Sequence, residues 1–406
     1  MSRTRPLPPA LIMGFCNLTL GLFGALALMT VPQLLAARSV PQPMIASITA
    51  AAMIPTFCGF LLSPILDVRF SRRNYALAFC VLSAAMAFIA LINADDLGVL
   101  TMALVAGFLA ANLNQAALGG WLSSIVDKGD ESKLGAGFTI GNIGGFGLGA
   151  IIFITLLRAL PGWAGAAAVS LVMLTPLILV MAIPAGSGER RTAHESFRTL
   201  RADLINLVKR QSIRRLLLLF SLPASSFALT NSLGGVGGEF GASERFVAIV
   251  AAIGVTGAGI VGSLVVPGFI GRIPPRYLYL LIGTVGAFFT LSLLGLPRTP
   301  LIFAVALIGQ NIFQSAAFTT EATIIFRSIG ERNPLASTQY AFLNAATALP
   351  ITYMQIVDGQ GYRAGGLAGS FMVDAGLSLL ACSILLPLVV FWHRSESRAT
   401  ALLKPA

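Results

Sequence analysis

The chain has 406 residues, of which 56% are hydrophobic and 11% charged, far too little charge to wet the surface of a soluble domain. Its formal net charge of +11 would fit a nucleic-acid binder if the cations formed one patch, but they are scattered between apolar runs. Composition thus excludes a soluble globular fold and argues against a nucleic-acid partner.

Twelve apolar runs are predicted, at residues 10–36, 42–65, 74–92, 98–122, 134–158, 163–184, 214–234, 246–271, 277–295, 300–325, 335–357 and 367–392. Each reaches the roughly 20 residues with which a helix crosses a bilayer. With the N-terminus in the cytoplasm, the inner segments collect 22 of the 27 Lys and Arg, and the outside receives only Arg38, Arg158, Arg245, Arg298 and Arg363. This bias predicts that both termini are cytoplasmic. The first run is too long for a cleavable signal peptide and is expected to act as its own insertion signal. The excess of Arg over Lys hints at a GC-rich bacterial genome, and so at the bacterial inner membrane.

In chain order, the first candidates are Asn17 and Thr19 in span one. After span two, Asp67 is followed within six residues by Arg69, Arg72 and Arg73. A carboxylate at a helix end with guanidinium partners can form an ion pair that holds one state closed and breaks in the other; alternatively, the arginines only enforce topology. Span four contributes Asn112, Asn114 and Gln115, and span five Asn142. Span five also has Gly141, Gly145 and Gly149 at intervals of four, a smooth stripe for close helix contact. Its expected partner is the glycine-rich span eight, with Gly254, Gly257, Gly259 and Gly262.

The long loop 185–213 has Phe197, Leu200, Leu204, Leu207 and Val208 at helical spacing among many arginines, which predicts an amphipathic helix on the inner membrane surface or a solvated linker helix. It divides the chain into a six-helix bundle (1–184), the linker (185–213), a second six-helix bundle (214–392) and a cytoplasmic tail (393–406). Span seven offers Ser225, Ser226, Thr230 and Asn231; span ten, Gln310, Asn311 and Gln314; span eleven, Gln339, Tyr340 and Asn344. Polar side chains at depth are costly in hydrocarbon and face the bundle interior. Amides and hydroxyls suit a polar, largely uncharged solute, although some of them will serve as interhelical hydrogen bonds.

Acids within spans are few. Glu321 lies two turns below Gln314 on the same face of span ten, and Asp374 lies in span twelve; either could exchange a proton in each half-cycle, with a salt bridge or a snorkelling position as the competing role. Asp358 is expected at the outer interface, not buried. His194 and His393 fall in cytoplasmic segments, so no histidine relay or intramembrane metal site is expected. Cys16, Cys58, Cys80 and Cys382 lie in apolar runs without CxxC spacing and read as packing residues. No cofactor is expected.

The halves resemble each other. Gln115-Ala-Ala-Leu-Gly-Gly-Trp121 and Ser124-Ile-Val-Asp-Lys128 match Gln314-Ser-Ala-Ala-Phe-Thr-Thr320 and Ser328-Ile-Gly-Glu-Arg332 at offsets of 199 and 204 residues, and Arg69-Phe-Ser-Arg72-Arg73 matches Arg272-Ile-Pro-Pro-Arg276. Parallel six-span repeats around a central inner loop describe the major facilitator fold, an all-α membrane architecture of two bundles. Asp67 with its arginines resembles the loop signature of that family, with Ser63 where glycine is usual. The proline of the drug-exporter motif is missing from span five.

Within that superfamily, Phe57-Cys-Gly-Phe-Leu-Leu-Ser-Pro-Ile-Leu-Asp67, Leu134-Gly-Ala-Gly137 and Ser337-Thr-Gln-Tyr-Ala-Phe-Leu343 resemble the AmpG-type permease and acetyl-CoA transporter branch. The chain departs from AmpG-type permeases in having Gly119 and Gly120, with no acid, before Trp121. In length and neutral interior it is similar to RhtX/FptX-type siderophore permeases. That resemblance implies an importer of a siderophore or metal-siderophore complex; the chain is expected to be a monomer, coupled to protons through its intramembrane acids, with small molecule, lipid and protons as its partners. Its substrate contacts would come from Asn17, Asn112, Gln115, Asn142, Asn231, Gln310, Asn311, Gln314, Tyr340 and Asn344, its coupling from Glu321 or Asp374, and its gate from Asp67, Arg69, Arg72 and Arg73. A muropeptide, peptide or metabolite permease and an exporter remain alternatives. A polytopic enzyme lacks a nucleophile–base pair in the spans, and a transporter-like sensor would be expected to have a soluble domain.

Overall fold

The computed structural model describes residues 7–184, 202, 203, 205–330 and 333–402. Phe197, Leu200 and Leu204 of the expected amphipathic helix, His194, and the basic positions Arg3, Arg5, Arg190, Arg191, Arg198, Arg201, Arg332 and Lys404 lie outside the described residues. Among the described residues every regular element is helical. Among these residues, ten helices are long and apolar enough to cross a membrane, where a backbone must satisfy its own polar groups.

We label them α1 (Ala10–Ala37), α2 (Gln42–Leu61), α3 (Arg72–Ile92), α4 (Leu97–Ile125), α5 (Glu131–Ala159) and α6 (Gly162–Ala182). The shorter α7 (Gln211–Ser221) follows. Next come α8 (Glu244–Ile270), α9 (Pro275–Gly295) and α10 (Pro300–Ile329), and finally α11 (Ala336–Leu402). Predicted spans eleven and twelve are two helical arms within α11, separated at Gly365 and Gly366, where φ/ψ of −143°/20° and 62°/−153° leave the helical region. The second of these requires a residue without Cβ.

Caps fix several starts. Asp96 Oδ1 accepts from the N–H groups of Gly98 and Val99 at 2.9 and 3.1 Å before α4, and Ser71 accepts from Asn74 N–H at 3.2 Å before α3. Within α1, Pro32 has no N–H to give, and the turn Leu26–Thr30 widens to a π-helix.

The chain forms two compact units: residues 1–214 with 325–345, and residues 215–324 with 346–406. In the first, Phe23, Leu26, Leu100, Leu104, Phe108 and Phe153 build the core. The glycine stripe of α5 packs on α1: a Cβ on Gly141 would lie 3.2 Å from Phe15 Cα, one on Gly145 2.9 Å from Leu18 O, and one on Gly149 3.1 Å from Ala25 Cβ. Within this unit α1 is itself small-faced at Gly14 and Gly21 and accepts the stripe backbone to backbone. In the second unit Leu233, Phe240, Phe303, Leu307, Leu367 and Phe371 form the core. Leu171 in one unit and Ile253 and Leu301 in the other are about two-thirds exposed, as suits side chains whose solvent is hydrocarbon.

Predicted span 214–234 is not one helix. α7 stops at Ser221, Pro223 cannot donate to a continuing helix, and Phe227 takes a φ of +47°. Side chains satisfy the freed carbonyls: Tyr353 Oη donates to Ser221 O at 2.9 Å and Gln314 Nε2 to Phe227 O at 3.3 Å. A broken helix persists at membrane depth only with such partners.

Candidate functional site

In the first unit, the short 3-10 turn Ser63–Asp67 delivers the Asp67 carboxylate to the start of α11. Arg72, the first residue of α3, donates Nε–H to Asp67 Oδ1 at 2.7 Å, and their side chains are 5% and 1% exposed. The remaining lone pairs of Asp67 go to the N-terminus of α11: Ser337 N–H to Oδ1 at 3.1 Å, and Thr338 N–H and Oγ1–H to Oδ2 at 2.9 and 2.7 Å. An anion there meets both unsatisfied N–H groups and the positive end of the helix dipole. Arg72 Nη2 donates onward to the carbonyls of Asn333 and Pro334 at 2.9 and 3.2 Å. Each charge is therefore paired and hydrogen-bonded, the condition under which a buried ion pair is tolerated.

The other two predicted gate arginines part from Asp67. Arg69, held at a φ of +69°, lies over the Phe70 ring at 4.9 Å. Arg73 donates to Val180 O and Met181 O at 3.3 and 3.1 Å, near the C-terminal end of α6, where a cation complements the dipole.

One turn further along α11, Tyr340 is wedged between aromatic rings, with Phe138 edge-on at 5.8 Å and Phe326 stacked at 5.8 Å. Beyond it Asn344 Nδ2 donates to Gln115 Oε1 at 3.4 Å. With Asn112, Pro55, Thr56 and Phe60 these residues line a cavity of about 20 Å³, room for one water. Asn112 bonds back to its own helix, to Phe108 O at 2.8 Å. Asn17 bridges α1 to α5 through Phe138 O at 3.0 Å and keeps a buried Oδ1 without a partner. Asn142 is half-buried on α5.

In the second unit, Gln314 Nε2 donates to Thr230 Oγ1 at 2.7 Å, beside the break after α7. Gln310, one turn away, donates to Thr290 and leaves its buried Oε1 unpartnered. Asn311 bonds back to Leu307 O at 2.8 Å, and Asn231 is exposed. Glu321 is buried, and the hydroxyl of Tyr279 interacts with its carboxyl. Asp374 is buried too. So is Asp358, at 4% exposure, which corrects its expected place at the interface: α11 continues past it to the bend, so it faces the returning arm.

Sequence reasoning missed Tyr279, whose only signal was a tyrosine inside an apolar run, and missed that Ser337 and Thr338 would complete the Asp67 shell. Among the described residues no three His, Cys, Asp or Glu converge to hold a metal ion.

No curated protein sequence matches the chain. Its fold is similar to that of the proton:xylose symporter XylE bound to 6-bromo-6-deoxy-D-glucose, with a TM-score of 0.69 and 13% identity over 94% of this chain and 95% of the other. It is also similar to the E. coli fucose:proton symporter FucP, with a TM-score of 0.68 and 14% identity over 91% and 96%. A bacterial homologue of the iron transporter ferroportin, in an outward-facing state, aligns with a TM-score of 0.67 and 15% identity over 93% and 98%. At these identities the likeness is one of fold. The profile of the Major Facilitator Superfamily matches residues 13–353, and with that match over an all-helical, multi-pass chain, the protein belongs to this superfamily of membrane transporters.

Proposed function

We propose that this transporter imports a siderophore or metal-siderophore complex across the bacterial inner membrane, as a monomer, by alternating access coupled to proton entry. The reading takes twelve spans, counting α11 as two arms about its glycine bend and the broken segment from α7 to Leu233 as one, with both termini in the cytoplasm as the charge bias requires.

The observation that carries it is the character of the buried and half-buried polar side chains. Gln115, Tyr340 and Asn344 around the small cavity, and Gln310 and Gln314 beside the broken helix, offer neutral donors and acceptors. Such groups suit a polar, weakly charged organic ligand, and a discontinuous helix is where transporters place such sites. The acids Glu321 and Asp374 are buried and are assigned to proton coupling. Asp67 and Arg72 are assigned to the gate: while Asp67 caps α11 the cytoplasmic side stays closed, and loss of the cap accompanies opening. Asn17, Asn112 and Asn311 have their amide donors occupied by backbone and are secondary contacts.

The test is accumulation of radio-iron-loaded siderophores by proteoliposomes holding the purified protein, with an imposed inward proton gradient and a protonophore control. Gradient-dependent uptake of one siderophore supports import and coupling together. Absence of uptake across a broad panel, from folded protein, overturns the siderophore reading and brings cell-wall peptide fragments or export forward.

A further inference from the structure

Asp358 has no part in the coupling scheme above, yet its environment is as unusual as that of Asp374. The two arms of α11 meet at very short range below the glycine bend: a Cβ on Gly361 would lie 2.8 Å from Gly369 O. Ser370 Oγ reaches across to donate to Asp358 O at 2.7 Å. Asp374 is four residues beyond Ser370 and so on the same face of its arm, directed at the arm that bears Asp358.

The two side chains are 4% and 3% exposed. Neither Asp358 Oδ1 nor Oδ2, nor Asp374 Oδ1, has a hydrogen-bond partner, and Asp374 lies close enough for its charge to bear on Asp358. Among the described residues of this unit, Arg215 and Arg276 pair with Glu396, Arg298 pairs with Glu239, and Arg245, Arg272 and Arg394 are exposed. Tyr362, one turn beyond Asp358, donates to Glu239, and Arg363 is exposed. Among the described residues, the charged group that bears on Asp358 is Asp374. A carboxylate taken out of water without a cation or donors is strongly disfavoured, and two such carboxylates side by side do not both ionise.

We propose that Asp358 and Asp374 form a paired-carboxyl proton site in the last helical hairpin, in which ionising one acid holds the proton on the other. The oxygens without partners are where the proton is taken up and released. The ligand is a proton and not a metal cation, because two carboxyls offer too few oxygens to replace a hydration shell. Use of the pair in transport rests on the proton-coupled reading above; its existence does not.

Infrared difference spectra of the protein in nanodiscs, recorded between acidic and alkaline pH, test this directly. In the parent, a protonated-carboxyl stretch is expected to disappear on alkalinisation. Asp358→Asn and Asp374→Asn should each alter that band, non-additively, and the double variant should remove the part of it that remains in Glu321→Gln. The two single variants probe the pair from opposite sides, so one that fails to fold leaves the other informative, with gel-filtration profiles as the control. Absence of any change in either variant, strictly additive losses, or displacement of the band by sodium overturns the pair. If the band behaves as expected but no variant changes gradient-driven uptake, the coupling reading fails and the pair stands.

Discussion

The hydroxyl and the backbone N–H of Thr338 both donate to one oxygen of Asp67, at 2.7 and 2.9 Å, across 271 residues of chain. The first turn of α11 is thus held by a carboxylate from the loop before α3, and that carboxylate is neutralised by Arg72. Asp67→Asn keeps the shape but leaves the Arg72 guanidinium buried without its counter-charge, which should cost about 3–5 kcal/mol. Thermal unfolding in detergent should show a large fall in Tm. A variant as stable as the parent would mean that charge does not hold this helix start. Arg72→Lys should be intermediate, because one ammonium cannot serve both Asp67 and the carbonyls of Asn333 and Pro334.

Gly120 sets how closely α4 approaches the same turn. A Cβ there would meet Ser337 N at 2.5 Å and its Cα at 2.7 Å, backbone atoms that cannot rotate away. Gly120→Ala should cost about 1–3 kcal/mol and push the Ser337 N–H off Asp67. The double variant with Asp67→Asn should then lose less than the sum of the two, since both act on one shared cap. Denaturation of the four proteins closes the cycle; full additivity would separate Gly120 from the cap.

The helical class of this chain was written in its apolar runs, because in hydrocarbon a run of that length has one backbone solution among helices. The exceptions have local causes. Span seven breaks at Pro223 and Phe227, where freed carbonyls take donors from Tyr353 and Gln314, contacts far off in sequence. The proximity of Asp67 to three arginines was legible, but not that Arg72 alone would turn inward while Arg69 stacked on Phe70 and Arg73 reached the end of α6. One residue of shift in that loop decides which guanidinium points where. Asp358 was misplaced for a related reason: hydropathy marks where an apolar run ends, whereas burial of Asp358 depends on the arm that returns after Gly366.

Tyr340 separates packing from recognition. Its ring is flanked by Phe138 and Phe326, so Tyr340→Ala should lose about 3–5 kcal/mol of stability. Tyr340→Phe keeps the ring and should cost about 1 kcal/mol or less. If the residue also contacts solute at the cavity it lines, Tyr340→Phe should raise the KM for uptake about tenfold, the equivalent of one lost hydrogen bond of ~1.4 kcal/mol. An unchanged KM would confine Tyr340 to packing.

Glu321 is the sharpest test of coupling. It is buried against Tyr279, itself 1% exposed, and among the described residues no ion pair engages it, so a role as one half of a structural salt bridge has no partner here. Gln fills the same volume and can hydrogen-bond the same tyrosine, but it cannot carry a proton. Glu321→Gln should therefore fold normally, lose gradient-driven accumulation by at least tenfold, and retain solute exchange in counterflow, because exchange cycles the loaded transporter without proton release. Tyr279→Phe removes the partner and leaves the acid, so accumulation should persist with a shifted pH profile. Loss of both accumulation and exchange in Glu321→Gln would place the residue in the solute path instead, and unchanged accumulation would hand the coupling role to Asp374.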